Sequence, residues 1–178
     1  PKIQRIGGIH MRSKKLEGLI EEGFITQAQA QYLEDAISRK ESLIISGHRG
    51  HGLTQLFGSL LMSIDKESTS FKQVRKPESD LEEGSDYYII GDLKDVEWED
   101  MLKGVLSRPG SNVMVMKAPE YSYSVMKIMK ELADAPSAAD LVVQVVECKK
   151  IEDVKKVAKI TRMTIGENGR PVREDFQG

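Results

Sequence analysis

Ser42-Leu43-Ile44-Ile45-Ser46, then Gly47-His48-Arg49-Gly50-His51-Gly52, then Leu53-Thr54-Gln55-Leu56-Phe57, is the stretch whose reading decides the fold. Its first five residues are a short apolar run ended by glycine, the pattern of a buried strand. Beyond the glycines, Leu53, Leu56, Phe57, Leu60, Leu61 and Ile64 recur at helical spacing and form one apolar stripe. A strand, a glycine turn and a helix in that order begin a β-α-β unit.

Upstream, a helix is expected to start after Ser13, to carry Leu16, Leu19 and Ile20, and to stop at Gly23. Thr26-Gln27-Ala28-Gln29 reads as a capping box: the threonine oxygen takes one free amide and the glutamine reaches back to another. The helix behind it carries Ala30, Leu33 and Ile37 and ends in Arg39-Lys40. Downstream the alternation repeats, with strands expected at 71–74, 87–90, 113–116 and 141–146. Helices are expected on Trp98, Met101, Leu102, Val105 and Leu106, and on Val125, Ile128, Met129 and Leu132. Residues 76–86 read as an exposed loop. The spacing near Val154 to Ala158 predicts a basic helix, with a last strand about Ile160 to Ile165 and a polar tail over 166–178. The alternation predicts an α/β fold, a mainly parallel sheet covered by helices on both faces. The chain divides into a helical lead-in (1–40), an α/β core (41–165) and the tail, all within one domain.

With 178 residues, the chain is long enough to bury a sizeable core. A formal charge of -2 gives no bulk attraction to nucleic acid or acidic membranes. The lone Cys148 has no partner for an internal disulfide, which suits a reducing cytoplasm. No apolar run reaches the length of a membrane span, and the first residues lack the apolar core of a signal peptide.

Gly47, Gly50 and Gly52 have the spacing of a P-loop, or Walker A motif, with Thr54 at its hydroxyl position. In such a loop the glycines let the backbone curl until successive N–H groups point at phosphate oxygens, and the helix N-terminus adds positive potential. A lysine supplies full charge to the outer phosphates and the Ser/Thr hydroxyl holds magnesium. Here Leu53 stands in the lysine position. It brings no charge, and it continues the apolar stripe of its helix. Arg49 is the nearby cation in sequence, and His48 and His51 are further donors.

With the loop placed, the chain resembles the secretion ATPase family, the hexameric motors of type II and type IV secretion, pilus assembly and DNA conjugation. The resemblance runs from about Leu16 to about Thr161. Leu16 to Ile20 and Gly23-Phe24-Ile25-Thr26 look like the family's lead-in, and Tyr32 to Leu56 looks like its helix, strand and nucleotide loop. Gly91-Asp92-Leu93-Lys94 is similar to the end of its Walker B strand, and Pro109-Gly110-Ser111 to a turn that follows. The departures are as specific. Arg75-Lys76-Pro77 stands where the family has acidic residues, Asp92 is shorter than the family's glutamate, and Met114-Val115-Met116-Lys117 replaces its histidine segment.

The resemblance implies a P-loop NTPase fold of RecA-like type, with ATP and magnesium as cofactors held weakly or not at all. It places phosphate on Gly47 to Thr54 and a metal on Thr54 and Asp92, and makes Asp92 the candidate catalytic carboxylate. It implies an upstream domain closing over nucleotide, which these residues do not contain; the chain starts at Pro1 rather than methionine. Removing one charge-stabilising group costs about 2.7–4 kcal/mol, so four altered parts together predict little or no turnover. The expected role is assembly or regulation of a secretion, pilus or conjugation machine. Its partners would be proteins of that machine and copies of itself, with no nucleic acid and only indirect contact with the inner face of a bacterial membrane. The rival reading is a working ATPase that uses Arg49 or Lys94 in place of the lysine.

Overall fold

The structure, a computed structural model, describes residues 5–6, 9–10, 12–91, 93–117 and 121–178. Strands β1 (Arg5–Ile6) and β2 (Ile9–His10) pair as a small antiparallel ribbon. Helix α1 (Lys14–Glu21) starts where Ser13 accepts the Leu16 N–H at 3.3 Å. It ends at Gly23 in left-handed conformation, with Phe24 N–H bonded back to Leu19 O, a Schellman closure. Helix α2 (Gln27–Ser38) opens with the predicted capping box, both of its bonds 3.0 Å long.

The main sheet has seven strands: β3 (Ser42–Ser46), β4 (Phe71–Gln73), β5 (Tyr87–Ile90), β6 (Asn112–Lys117), β7 (Val143–Ile151), β8 (Val154–Ile165) and β9 (Pro171–Asp175). Their spatial order is β4-β5-β6-β3-β7-β8-β9; the first five are parallel, and β8 and β9 add antiparallel. The helices between them are α3 (Leu53–Leu61), α4 (Pro77–Asp80), α5 (Trp98–Leu106) and α6 (Tyr121–Glu131).

Strand periodicity divides the core. Leu43 and Ile45 turn to one face with Leu16, Leu33, Leu56 and Leu60 of α1, α2 and α3. Ile44 turns to the other with Trp98, Leu102, Val125 and Ile128 of α5 and α6. Strand β3 is buried on both faces, as expected of a central parallel strand. The helix after β3 and the helix after neighbouring β6 therefore lie on opposite faces. Connections that diverge in this way leave a crevice at the carboxyl ends of the two strands.

Three expectations fail. Residues 76–86 are not all loop: Pro77 at the first helical position starts α4, and Asp80 accepts the N–H groups of Arg75 and Lys76, each at 2.8 Å. The basic helix near Val154 to Ala158 is instead part of β8, continuous with the strand expected at 160–165. Val157 and Ile160 both enter the core at helical spacing because the register shifts between them: Glu147 faces Lys159 while Cys148 faces Val157, so Ala158 is the extra residue of a bulge. The polar tail is in part strand β9, an edge strand of charged residues, behind which Phe176 stacks on Tyr32 with ring centroids 4.2 Å apart.

Candidate functional site

The glycine stretch leaves β3 at that crevice. Gly47 donates its N–H to Lys117 O at 3.2 Å, tying the loop to the end of β6. A Cβ on Gly47 would lie 2.8 Å from both Cys148 O and Leu53 Cδ1, so the backbone passes there with no room for a side chain. His48 to His51 closes a turn, with His51 N–H bonded to His48 O at 3.1 Å and the two rings edge to face at 5.5 Å. Gly50 and Gly52 both take positive φ, +86° and +81°. Gly52 caps α3, and no side chain bonds the free amides of that first turn.

Leu53 lies beneath this loop, buried in the core beside Leu56 and Leu60 and against the underside of Gly47. The Leu53 side chain therefore packs inward, away from the exposed crest of the loop. Thr54 is exposed, and its hydroxyl donates to Met116 Sδ at 3.7 Å. His48, Arg49 and Gly50 are exposed at the crest, whereas His51 Nδ1 is shielded from solvent without a hydrogen-bond partner. An unmatched buried nitrogen costs about 1–3 kcal/mol, so the loop holds unspent hydrogen-bonding capacity as well as free amides.

Of the other candidate residues, Asp92 lies outside the described residues. Lys94 is exposed, and the Lys117 ammonium sits 5.8 Å from the centroid of the Trp98 ring. Arg75 and Lys76 cap α4 through their backbone and leave their side chains in solvent. Two residues at the loop escape a reading of the motif. The Phe24 ring lies where a Gly52 side chain would be, 2.3 Å from its Cβ position, and Lys155 Cδ approaches the same point to 3.2 Å. A hairpin reading of 149–156 is the signal that would have placed Lys155 beside β7.

The loop fits an anion through its backbone: curled glycines, an uncapped helix start and a positive helix end are what a phosphate needs. The hydroxyl of Thr54, exposed and in contact with the Met116 thioether, is the group of this loop that would hold a magnesium ion. Cys148 is no nucleophile here, since burial pushes its thiol up to about 12.

No protein-family model matches the chain, and no curated protein matches it in sequence. Among solved structures, it is similar to the VirB11 ATPase from the Brucella suis type IV secretion system, determined in complex with sulphate. The TM-score is 0.53 at 14% sequence identity, over 85% of this chain and 60% of that one. The likeness is one of fold: a mixed α/β architecture shared with a secretion ATPase, of which this chain spans about 60% of the length. Among the described residues no helix is long and apolar enough to cross a membrane.

Proposed function

We propose that the chain is a degenerate P-loop domain of RecA-like type from the secretion ATPase family, one that holds phosphate on Gly47 to Thr54 and hydrolyses ATP weakly or not at all. Its role is in the assembly or regulation of a secretion, pilus or conjugation machine in the cytoplasm, with proteins of that machine and copies of itself as partners. The fold shared with a secretion ATPase supports this family. The observation that carries the loss of turnover is Leu53, apolar and buried under the loop where a lysine would reach the phosphates. Arg75-Lys76 in place of acidic residues, Asp92 in place of glutamate and the missing histidine segment point the same way.

Phosphate transfer needs positioned phosphates, a metal and stabilised transition-state charge. The backbone of the loop supplies the first alone. ATP with magnesium would therefore bind through its phosphates to the amides, with Thr54 and Asp92 contributing little.

Thermal unfolding with and without Mg-ATP, followed by phosphate release, tests this. The expected result is a stabilisation, about 2.7 kcal/mol at 100 times the dissociation constant, without steady release. Steady release abolished by Arg49→Ala would overturn the reading in favour of a working ATPase. Neither shift nor release would remove ATP from the proposal.

A further inference from the structure

The hairpin of β7 and β8 reaches beyond the sheet beside the glycine loop, and its charges are arranged against its own stability. Lys149 stands directly opposite Lys156, and Lys150 directly opposite Lys155. Like charges facing each other across a ladder are destabilising. Strand alternation sorts the four lysines by face. Lys150 and Lys155 share the face of Cys148 and Val157, which packs against the core that holds Phe24 and Leu53. Lys149 and Lys156 share the opposite face. Lys155 is half-buried, its Cδ lies 3.2 Å from the Cβ position of Gly52, and among the described residues it has no ion pair.

We propose that Lys155 supplies, from β8, the cation that Leu53 does not, and so completes a polyphosphate site with the amides of the glycine loop. This rests on the reading of that loop as a phosphate site. A lysine stem crosses Gly52 here because residue 52 has no side chain to block it, and the ammonium lies two bonds beyond the Cδ that makes this approach. That ammonium is a mobile point charge with three donors. Lys150, directly opposite, adds a second positive charge on the same face. A polyanion between loop and hairpin relieves the repulsion within that pair. The chemistry recognised is that of a di- or triphosphate chain, as pyrophosphate or as part of a nucleotide.

The test is calorimetric titration of the full chain with inorganic pyrophosphate, on the parent protein and on Lys155→Met, Lys155→Arg and Lys156→Met. Methionine keeps the apolar stem and removes the charge, and Lys155→Gln repeats the experiment should methionine disturb folding. Loss of a hydrogen bond to a charged group predicts that Lys155→Met raises Kd by about tenfold or more. Lys155→Arg and Lys156→Met are expected to stay within about threefold, since each retains a charge on the loop's face. Without ligand, Lys155→Met is expected to melt at the parent temperature or above it, whereas a merely structural lysine would lower it. Parent-like binding by Lys155→Met, or equal losses in Lys155→Met and Lys156→Met, overturns the role of Lys155 and leaves the loop reading intact. No pyrophosphate binding by the parent protein overturns both. Binding of pyrophosphate but not of Mg-ATP, with the same dependence on Lys155, supports the site and assigns it to a free polyphosphate.

Discussion

Gly50 and Gly52 share left-handed backbone two residues apart, yet their surroundings differ. Around Gly50 nothing lies within 4 Å of a Cβ position, so alanine there meets only the backbone penalty of about 1–2 kcal/mol. At Gly52 the same penalty is joined by collision with the Phe24 ring, 2.3 Å from that Cβ position. Moving a buried ring in a close-packed core costs about 1–3 kcal/mol more. Denaturant midpoints should therefore rank parent above Gly50→Ala above Gly52→Ala, with unchanged slope. The second substitution should recover stability when Phe24 is shortened to leucine. Equal losses at the two glycines would mean that Phe24 does not hold the loop. The ranking also separates two demands that the motif merges: Gly50 is glycine for its φ alone, Gly52 for its φ and for the room that the Phe24 ring takes.

Among the elements, the β7–β8 hairpin turns on Glu152-Asp153, which both have positive φ, 51° and 62°, between the paired Ile151 and Val154. That is the backbone of a two-residue type I′ turn, which favours Asn-Gly and which Glu adopts at a cost. Replacing Glu152-Asp153 by Asn-Gly should raise stability by about 1 kcal/mol, read as a higher urea midpoint. The same turn explains why this part of the fold was hard to read. Apart from α4, the strands and helices from Ser13 to Leu132 announce themselves through caps, apolar runs and stripes, and α3 follows from the spacing of Leu53, Leu56 and Leu60. Beyond residue 150 the turn lacks its usual residues, and the bulge at Ala158 gives Val157 and Ile160 the spacing of a helix. The lysines between them then read as the solvated face of that helix rather than as a strand beside the loop. Gly169 turns the chain there with φ +74°, but the charged strand after it lacks an apolar face to identify it. The glycine loop between β3 and α3 was legible; the approach of Phe24 and Lys155 to it from other elements was not.

For the molecule as a whole, the titrating groups define a window of stability. At Asp86, burial pushes the carboxyl up, but the Ser70 amide at 2.9 Å and the Lys40 ammonium at 3.3 Å outweigh it and hold it below the usual range. Asp80 is held low by the Lys76 and Arg75 amides, and Glu99 by the Ser124 hydroxyl and Lys127. A carboxyl with a depressed folded pKa stabilises above its unfolded value, and that contribution is lost as pH falls through the folded value. Asp80 and Glu99 are partly exposed like Asp86, so solvent screens all three, and Asp86 carries a share of the acid limb. It also ties the starts of strands together, since its carbonyl accepts the Asn112 N–H at 3.0 Å while its carboxylate holds Ser70. At the other end, burial raises the Cys148 thiol to about 12 and the Tyr87 phenol in the same direction, so the folded state keeps protons that the unfolded chain releases. Their contributions are complete below the unfolded values, about 8.5 for the thiol and 10 for the phenol, and decline as pH rises toward the folded ones. Urea midpoints measured from pH 3 to pH 11 should therefore form a plateau that falls below about pH 4 and above about pH 9. Asp86→Asn should lower the plateau and flatten the acid limb, because the amide still accepts from Ser70 but loses the ion pair with Lys40. Cys148→Ala should flatten the alkaline limb without touching the acid one. An alkaline limb that survives Cys148→Ala unchanged would assign it to Tyr87, whose hydroxyl is anchored on Glu41 O at 2.5 Å, and Tyr87→Phe should then remove it.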